Sequence, residues 1–263
     1  MDLTPSAQAR DQYATTTGNL TARMALHRYG TYPRRWFSWV GERLPAGGDV
    51  LEVGAGTGEL WAHAGGVRRL TLADFSAAMC ARLQAVPGAR VVRCDAGGLP
   101  FRAGSFDTVV ANHMLYHVDE PEAALREFAR VLRPGGRLVA ATNGRDHLAE
   151  LFAIGPAIGR PDLMTGRGRG DFTAESGPAQ VERHFTRVSV ERYPGAIAVH
   201  AAEPLVAYLD SLTGVRLTTP QRAAVGDLVR ASVVSGGAFH IRTHTVLIAG
   251  YSTYSGPAAS YRP

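Results

Sequence analysis

The stretch LEVGAGTGELW, residues 51–61, joins an apolar run containing Glu52 to a turn with Gly54, Gly56 and Gly58 at every second position. Glycines are needed where a backbone takes positive φ or lets a ligand approach closely. Alone, such a turn can hold a phosphate, hold a different ligand, or simply bend. A dinucleotide turn reads G-x-G-x-x-G and sets a pyrophosphate on a helix N-terminus. Here the spacing is G-x-G-x-G, and a carboxylate at Glu52 suits an ammonium group better than a pyrophosphate. Asp74 follows 22 positions later at the end of a second apolar run, where an acid can accept hydrogen bonds from both hydroxyls of a ribose. Asp95, in CysAspAla, closes a third run and is placed to receive an exocyclic adenine amine. Asn112 and His113 close the fourth. In AsnHisMetLeuTyrHis (112–117), His113 and His117 can serve as a general base, with Tyr116 in the wall of a substrate pocket. Their i, i+4 spacing also suits zinc, but no third ligand stands at a sensible distance, so no metal is expected.

Strands must end at each of these residues for them to meet. AspValLeuGluVal (49–53), ArgLeuThrLeuAla (69–73), ArgValValArgCys (90–94), PheAspThrValValAla (106–111) and ArgLeuValAlaAlaThr (137–142) read as five short strands. Helices separate them. One is expected around 57–64, and another is opened by Ser76, a good N-cap. A third has Pro121 in its first turn and Ala124, Leu125, Phe128, Ala129 and Leu132 on one face. Alternation of this kind argues for an α/β fold with a parallel sheet covered on both faces, which binds ligands at the carboxyl ends of its strands.

Beyond Asn143 the expected order is a helix over 145–154, a Gly/Pro/Arg-rich loop over 155–171 and a helix from ThrAlaGluSer (173–176) to about His184. A strand over 186–193, helices near 202–212 and 220–235, and a closing strand over 239–249 follow. Residues 1–45 read as helical and aromatic, with TrpPheSerTrpVal (36–40) docking on a core. The tail 254–263 reads as poorly ordered.

The chain has 263 residues, enough for one large domain or a domain with a cap. Its net charge is +5, and all 28 basic residues are arginine. With abundant Ala, Gly and Val, this looks like the codon bias of a GC-rich genome. The arginines alternate with acids and form no coherent basic surface, so nucleic-acid binding is not expected. No apolar run approaches a membrane span, the first residues lack a secretory pattern, and Cys80 and Cys94 make no framework. A cytoplasmic protein with reduced thiols is expected.

LEVGAGTGEL, LADFS, CDAGGLPF, SFDTVVANHMLYHV and RVLRPGGRLV resemble, in order and spacing, the motifs of class I S-adenosylmethionine-dependent methyltransferases, and within them the type-11 small-molecule group. The resemblance covers roughly residues 49–142. It implies a Rossmann-like seven-stranded sheet with its last strand antiparallel, inserted between the fifth and sixth. It implies that Gly54, Ala55 and Gly56 back the methionine portion of S-adenosylmethionine, near Glu52. Asp74 would take the ribose, Phe75 and Met79 the adenine faces, and Asp95 with Ala96 the adenine edge, with Asn112 also at the cofactor. Trp61 is expected to pack.

Similar enzymes close an N-terminal helix over the cofactor, which makes 1–45 a helical lid with Tyr13, Asn19, Arg23 and His27 as candidates; Arg23 can pair the methionine carboxylate. They also build a substrate cap from the region corresponding to about 200–236, within a cofactor-binding domain over 46–253. Tyr208 would shape acceptor specificity there, and His200, His240 and His244 are further candidates. The implied activity is methyl transfer to an O or N atom of a small molecule, such as a bacterial secondary metabolite. C-methylation, RNA methylation and cofactor binding without turnover are the alternatives. Against RNA stands AsnHisMetLeu, where an Asn/Asp-Pro-Pro-Tyr/Phe motif would be needed. The oligomeric state is not legible.

Overall fold

The computed structural model describes Thr4 and residues 18–164, 171–212 and 216–253; side chains of 18–20, Ala22 and Met164 are outside that description. The first elements are α1 (Gly18–Leu26), a 3-10 turn at His27–Tyr29 and α2 (Trp36–Gly41). The alternating unit comprises β1 (Asp49–Val53), β2 (Arg69–Asp74), α3 (Ala77–Leu83), β3 (Ala89–Arg93), β4 (Phe106–Asn112), α4 (Pro121–Val131) and β5 (Leu132–Asn143). Then come α5 (Ala149–Ala157), α6 (Gly177–Glu182), β6 (Phe185–Arg192), β7 (Ala196–Val199), α7 (Glu203–Asp210), α8 (Thr219–Gly236), β8 (Phe239–Arg242) and β9 (Thr245–Ser252).

Seven strands form one sheet in the order β3-β2-β1-β4-β5-β9-β6. The first five are mutually parallel, and β9 runs antiparallel to both β5 and β6. This is the Rossmann-like sheet expected, with its last strand inserted between the fifth and sixth. Every residue of β1 is buried, as a central strand covered on both faces requires. Chain order reverses between β1 and β4, so the carboxyl ends of β1, β2, β3 and β4 meet around one crevice. At the opposite rim, Asp49 is 2% exposed and accepts from Arg68, Arg69 and Arg133, which hold its carboxyl well below the usual carboxylate range.

Local signals account for the helices that position the site. Ser76 caps α3 by accepting from the Met79 N–H at 3.3 Å. Pro121 starts α4, whose Ala124, Leu125, Phe128 and Val131 are buried against the sheet. Thr218 and Gln221 form a capping box at α8. A separate apolar cluster joins Leu26 of α1, Leu151 and Ile154 of α5, Ile197, Leu205, Leu209, Val225 and Ile241. The cap therefore has its own core, built from β7, α7, α8 and β8 and shared with the N-terminal segment.

Four local readings need correction. The helix expected at 57–64 is a 3-10 turn, Glu59–Ala62; Gly56 and Gly58, at φ +56 and +74, direct the chain away from a regular helix start. The closing strand expected over 239–249 is two strands, β8 and β9, which belong to different sheets and part at Thr243 and His244. The loop expected from 155 includes the end of α5 and a 3-10 turn at Pro161–Met164. The short β7, absent from the expected order, pairs antiparallel with β8. The expected tail, 254–263, lies outside the described residues.

Candidate active site

The β1 turn is built for close packing. Gly54 has φ +67, and a Cβ there would come within 2.5 Å of the Met114 Cβ. The same turn delivers the Gly56 N–H to Asp74 Oδ2 at 2.9 Å, while Asp74 Oδ1 accepts from the Ser76 N–H at 2.9 Å. Two backbone donors thus hold the Asp74 carboxylate at the end of β2. Burial pushes its pKa up, against the backbone N–H groups of Ser76, Gly56 and Phe75. Glu52 is 2% exposed and accepts from Trp61 Nε1 at 2.6 Å. Burial pushes Glu52 up to about 8, the Trp61 bond opposing this and the nearby Asp74 adding to it. Trp61, expected only to pack, is therefore the hydrogen-bond partner of the acid in the motif. At neutral pH the Glu52–Asp74 pair is short of its full negative charge, as two buried acids without a cation should be.

A cavity of about 1100 Å³ opens over this edge, slightly larger than the ~300–1,000 Å³ usual for small-molecule sites. Glu52, Gly54, Ala55, Gly56, Asp74, Phe75, Met79, Asp95, Ala96 and Asn112 all line it. So do Arg23, His113, Tyr116, His117 and Tyr208. The sheet brings together residues that are far apart in the chain. Asp95 sits two positions past β3, exposed, and accepts from the Gly97 N–H at 2.9 Å. Cys94, which also lines the cavity, is pushed up to about 11 by burial, with Cys80, Asp95 and Asp74 adding to it, and both cysteines are free thiols.

Other candidates fall differently. Tyr13 lies outside the described residues, and the Asn19 side chain is likewise not described. His200 is not among the lining residues; it is exposed, and its Nδ1 lies 2.9 Å from the Gly237 carbonyl, at the far end of the cap. His240 is exposed on β8 and does not line the cavity either. His244 stands behind the cavity wall, its Nδ1 2.5 Å from Asp146 Oδ1. Arg23 lines the cavity, but its guanidinium also donates to the Ser211 carbonyl at 2.8 Å and to Ser211 Oγ at 3.3 Å. It thereby ties α1 to the end of α7.

His113 takes a left-handed backbone, φ 57, and its Nδ1 is buried without a partner. Burial lowers its pKa to about 3, with smaller contributions from His27 and His117. His117 is lowered to about 4 by burial and by Arg23. Both imidazoles are neutral at physiological pH. Four residues unmarked in the sequence also line the cavity: Trp36 from α2, Phe152 from α5, and His147 and Phe172 from flanking loops. Only their aromatic character hinted at this, and nothing in the spacing tied them to the motifs. Among the described residues, one group of donors lies close enough to share an ion: Asp146, Glu175 and His244. These are engaged otherwise, Asp146 with His244 and Arg242, and Glu175 with the Arg145 N–H.

This sheet order, with an acid on each of β1 and β2 at the ligand edge, is the arrangement that the resemblance to class I S-adenosylmethionine-dependent methyltransferases implies. Residues 51–140 match the family model described as a methyltransferase domain, that of the type-11 group. The chain is 37% identical over 139 residues to a phosphatidylethanolamine N-methyltransferase of Cereibacter sphaeroides, covering 49% of this chain and 66% of that protein. It is 40% identical over 114 residues to a demethylmenaquinone methyltransferase of Renibacterium salmoninarum, covering 41% and 47%. The chain thus spans between about half and two thirds of these relatives' lengths. A solved S-adenosylmethionine-dependent methyltransferase of Thermotoga maritima shares the fold at a TM-score of 0.57 and 17% identity, over 92% of this chain and 98% of that one.

The residues present fit the cofactor of this class. The closed approach at Gly54, the anchored Asp74 and the buried Glu52 offer hydrogen-bond acceptors for hydroxyls and an amine where the strand ends converge. Among the described residues no helix is long and apolar enough to cross a membrane.

Proposed function

We propose that the protein transfers a methyl group from S-adenosylmethionine to an O or N atom of a small molecule. S-adenosylmethionine supplies an electrophilic methyl group on a sulfonium. One observation carries the reading: the edge holding Glu52, Asp74 and Asp95 shares a single cavity with a ring-lined compartment beneath the cap. In this reading Asp74 binds the ribose, Phe75, Met79, Asp95 and Ala96 the adenine, and Gly54 to Gly56 with Glu52 the amino-acid end. Tyr116 and Tyr208 shape the acceptor compartment, and α1 and α2 help exclude water. Trp36, Phe152, Leu163 and Tyr208 wall that compartment, which suits a small acceptor better than a polymer strand. The resemblance and the arginine-only composition support a bacterial secondary metabolite.

The histidines set a limit on the chemistry. Moving a proton from a hydroxyl with a pKa near ~10 to an imidazole at about 3 or 4 is uphill by roughly 8–10 kcal/mol, at ~1.4 kcal/mol per unit. His113 and His117 therefore orient the acceptor and take its proton only as the new bond to carbon forms. This favours a neutral amine or an already ionised oxygen. The rest of the rate comes from holding the acceptor in line within a dry site. Incubating the protein with methyl-labelled S-adenosylmethionine and a panel of amines, phenols and carboxylic acids should yield a labelled small molecule. Cofactor binding with no transfer to any member would point to a binding protein without turnover.

A further inference from the structure

The indole of Trp36 reaches the cavity from α2 and meets two residues at the end of β4. Its Nε1 donates to Asn112 Oδ1 at 3.2 Å, and its ring lies 5.0 Å from the His113 imidazole, tilted by 52°. The indole is itself held from behind. Trp39, 1% exposed, stacks on it at 5.5 Å, and Tyr193 meets it edge-on at 5.2 Å. The Tyr193 hydroxyl in turn donates to the Arg34 carbonyl at 2.6 Å. Trp36 therefore has little freedom to follow its neighbours, and they must fit to it.

An indole N–H can only donate, so Asn112 must present its oxygen to Trp36 and its NH2 group elsewhere. Asn112 lines the cavity, and among the described residues that NH2 group has no protein partner. Asn112 stands two residues beyond Val110, the register partner of Glu52, which sets it beside the Gly54 turn. Its free donors thus share the space of whatever occupies that turn. The matching ligand group is a hydrogen-bond acceptor, a carboxylate, carbonyl or hydroxyl oxygen. His113, with its left-handed backbone and orphaned Nδ1, leans on the same indole. Residues held in uncommon backbone conformations persist where surrounding structure over-determines them, and here that structure includes Trp36.

Building on the cofactor reading above, we infer that Trp36 is a positioning residue for the ligand site: its N–H fixes the Asn112 carboxamide with the NH2 group toward the cavity, and its ring seats the His113 imidazole. A part of the chain outside the family match thereby sets the polarity of a motif residue.

The probe is S-adenosylhomocysteine, titrated calorimetrically into wild type, Trp36→Phe, Asn112→Ala and the double variant, with melting curves of each. Trp36→Phe keeps a ring and removes only the N–H. Each single variant should bind about fivefold more weakly, the effect of one neutral hydrogen bond. The double variant should bind no worse than Asn112→Ala alone, because the N–H acts through that amide. Wild-type affinity in Trp36→Phe, or losses that multiply in the double variant, would overturn the assignment while leaving the cofactor reading intact. If wild type itself fails to bind the probe, the cofactor reading falls and this assignment falls with it. A variant that does not fold is identified by its melting curve, and Asn112→Asp then replaces it: the inference expects weaker binding, because Trp36 fixes one oxygen and the other replaces the NH2 donor, and unchanged binding overturns it.

Discussion

Replacing Asp74 by alanine tests the most heavily anchored side chain of the site. Its two oxygens are spoken for on the protein side, Oδ1 by the Ser76 N–H and Oδ2 by the Gly56 N–H, each at 2.9 Å. The carboxylate is 5% exposed and its pKa is raised by burial. It therefore sits in the native state at a desolvation cost that two backbone donors only partly offset. A ribose would add hydroxyl donors to this charge, and a hydrogen bond to a charged group contributes about 1.5–3 kcal/mol. Truncation removes that gain but also relieves the desolvation cost, so the expected loss of affinity is about 1–3 kcal/mol, or roughly 5- to 150-fold. Calorimetric titration with S-adenosylhomocysteine measures it, and a melting curve recorded in parallel guards against unfolding. Asp74→Asn should lose affinity as well, since its NH2 group must face one of two N–H donors. A folded Asp74→Ala protein with wild-type affinity would refute the ribose assignment.

Other consequences follow from the same geometry. Gly54→Ala places a Cβ 2.5 Å from Met114 at a φ of +67, and should cost about 2–3 kcal/mol in urea unfolding from overpacking and left-handed strain; an unchanged midpoint would contradict the close packing. Glu52 is pushed up to about 8, so binding an amine beside it at pH 7 should release roughly one proton. Calorimetry in buffers of different ionisation heat counts that proton, and Glu52→Gln should abolish the release.

His113 and His117 lie at about 3 and about 4 in the folded protein, below the ordinary histidine value near 6.5. The unfolded chain thus takes up protons first as the pH falls. Stability should be complete above about pH 6.5 and decline toward pH 4, by up to ~1.4 kcal/mol per unit for each histidine. Melting curves of His113→Ala and His117→Ala should show a shallower decline. The same variants should bind S-adenosylhomocysteine as wild type does while turning over more slowly. Full rates at every pH would remove both from the chemistry.

The carboxyl-terminal ends of the strands were legible because burial on both faces leaves a strong mark. β1, β2 and β4 are short apolar runs, each ending in or beside a polar residue that the sheet cannot use, and those polar residues lie around the cavity. The cap was less legible for a physical reason. Period-two alternation runs from Phe239 to Thr245 and passes without a turn residue into the apolar run Val246–Ala249, so the sequence carries no clear mark of the break at Thr243 and His244, where the chain leaves the cap hairpin for the main sheet. β7 has only four residues, too few for a pattern to show. Trp36 belongs to the site through packing against residues more than seventy positions away, a relation that no local pattern records. Histidine type alone overreached at His200, since a polar ring is satisfied as readily by the Gly237 carbonyl at the cap's far end as by a ligand.

In the proposed function, the Glu52–Asp74–Asp95 edge and the ring-lined compartment form one methyl-transfer site. A crystal structure with S-adenosylhomocysteine tests it most directly. Ribose hydroxyls are expected on the Asp74 carboxylate, adenine between Phe75 and Met79, and the amino-acid end over Gly54 to Gly56, with the sulfur facing His113 and Tyr116. Ligand bound elsewhere, or in this cavity with the ribose away from Asp74, would contradict it.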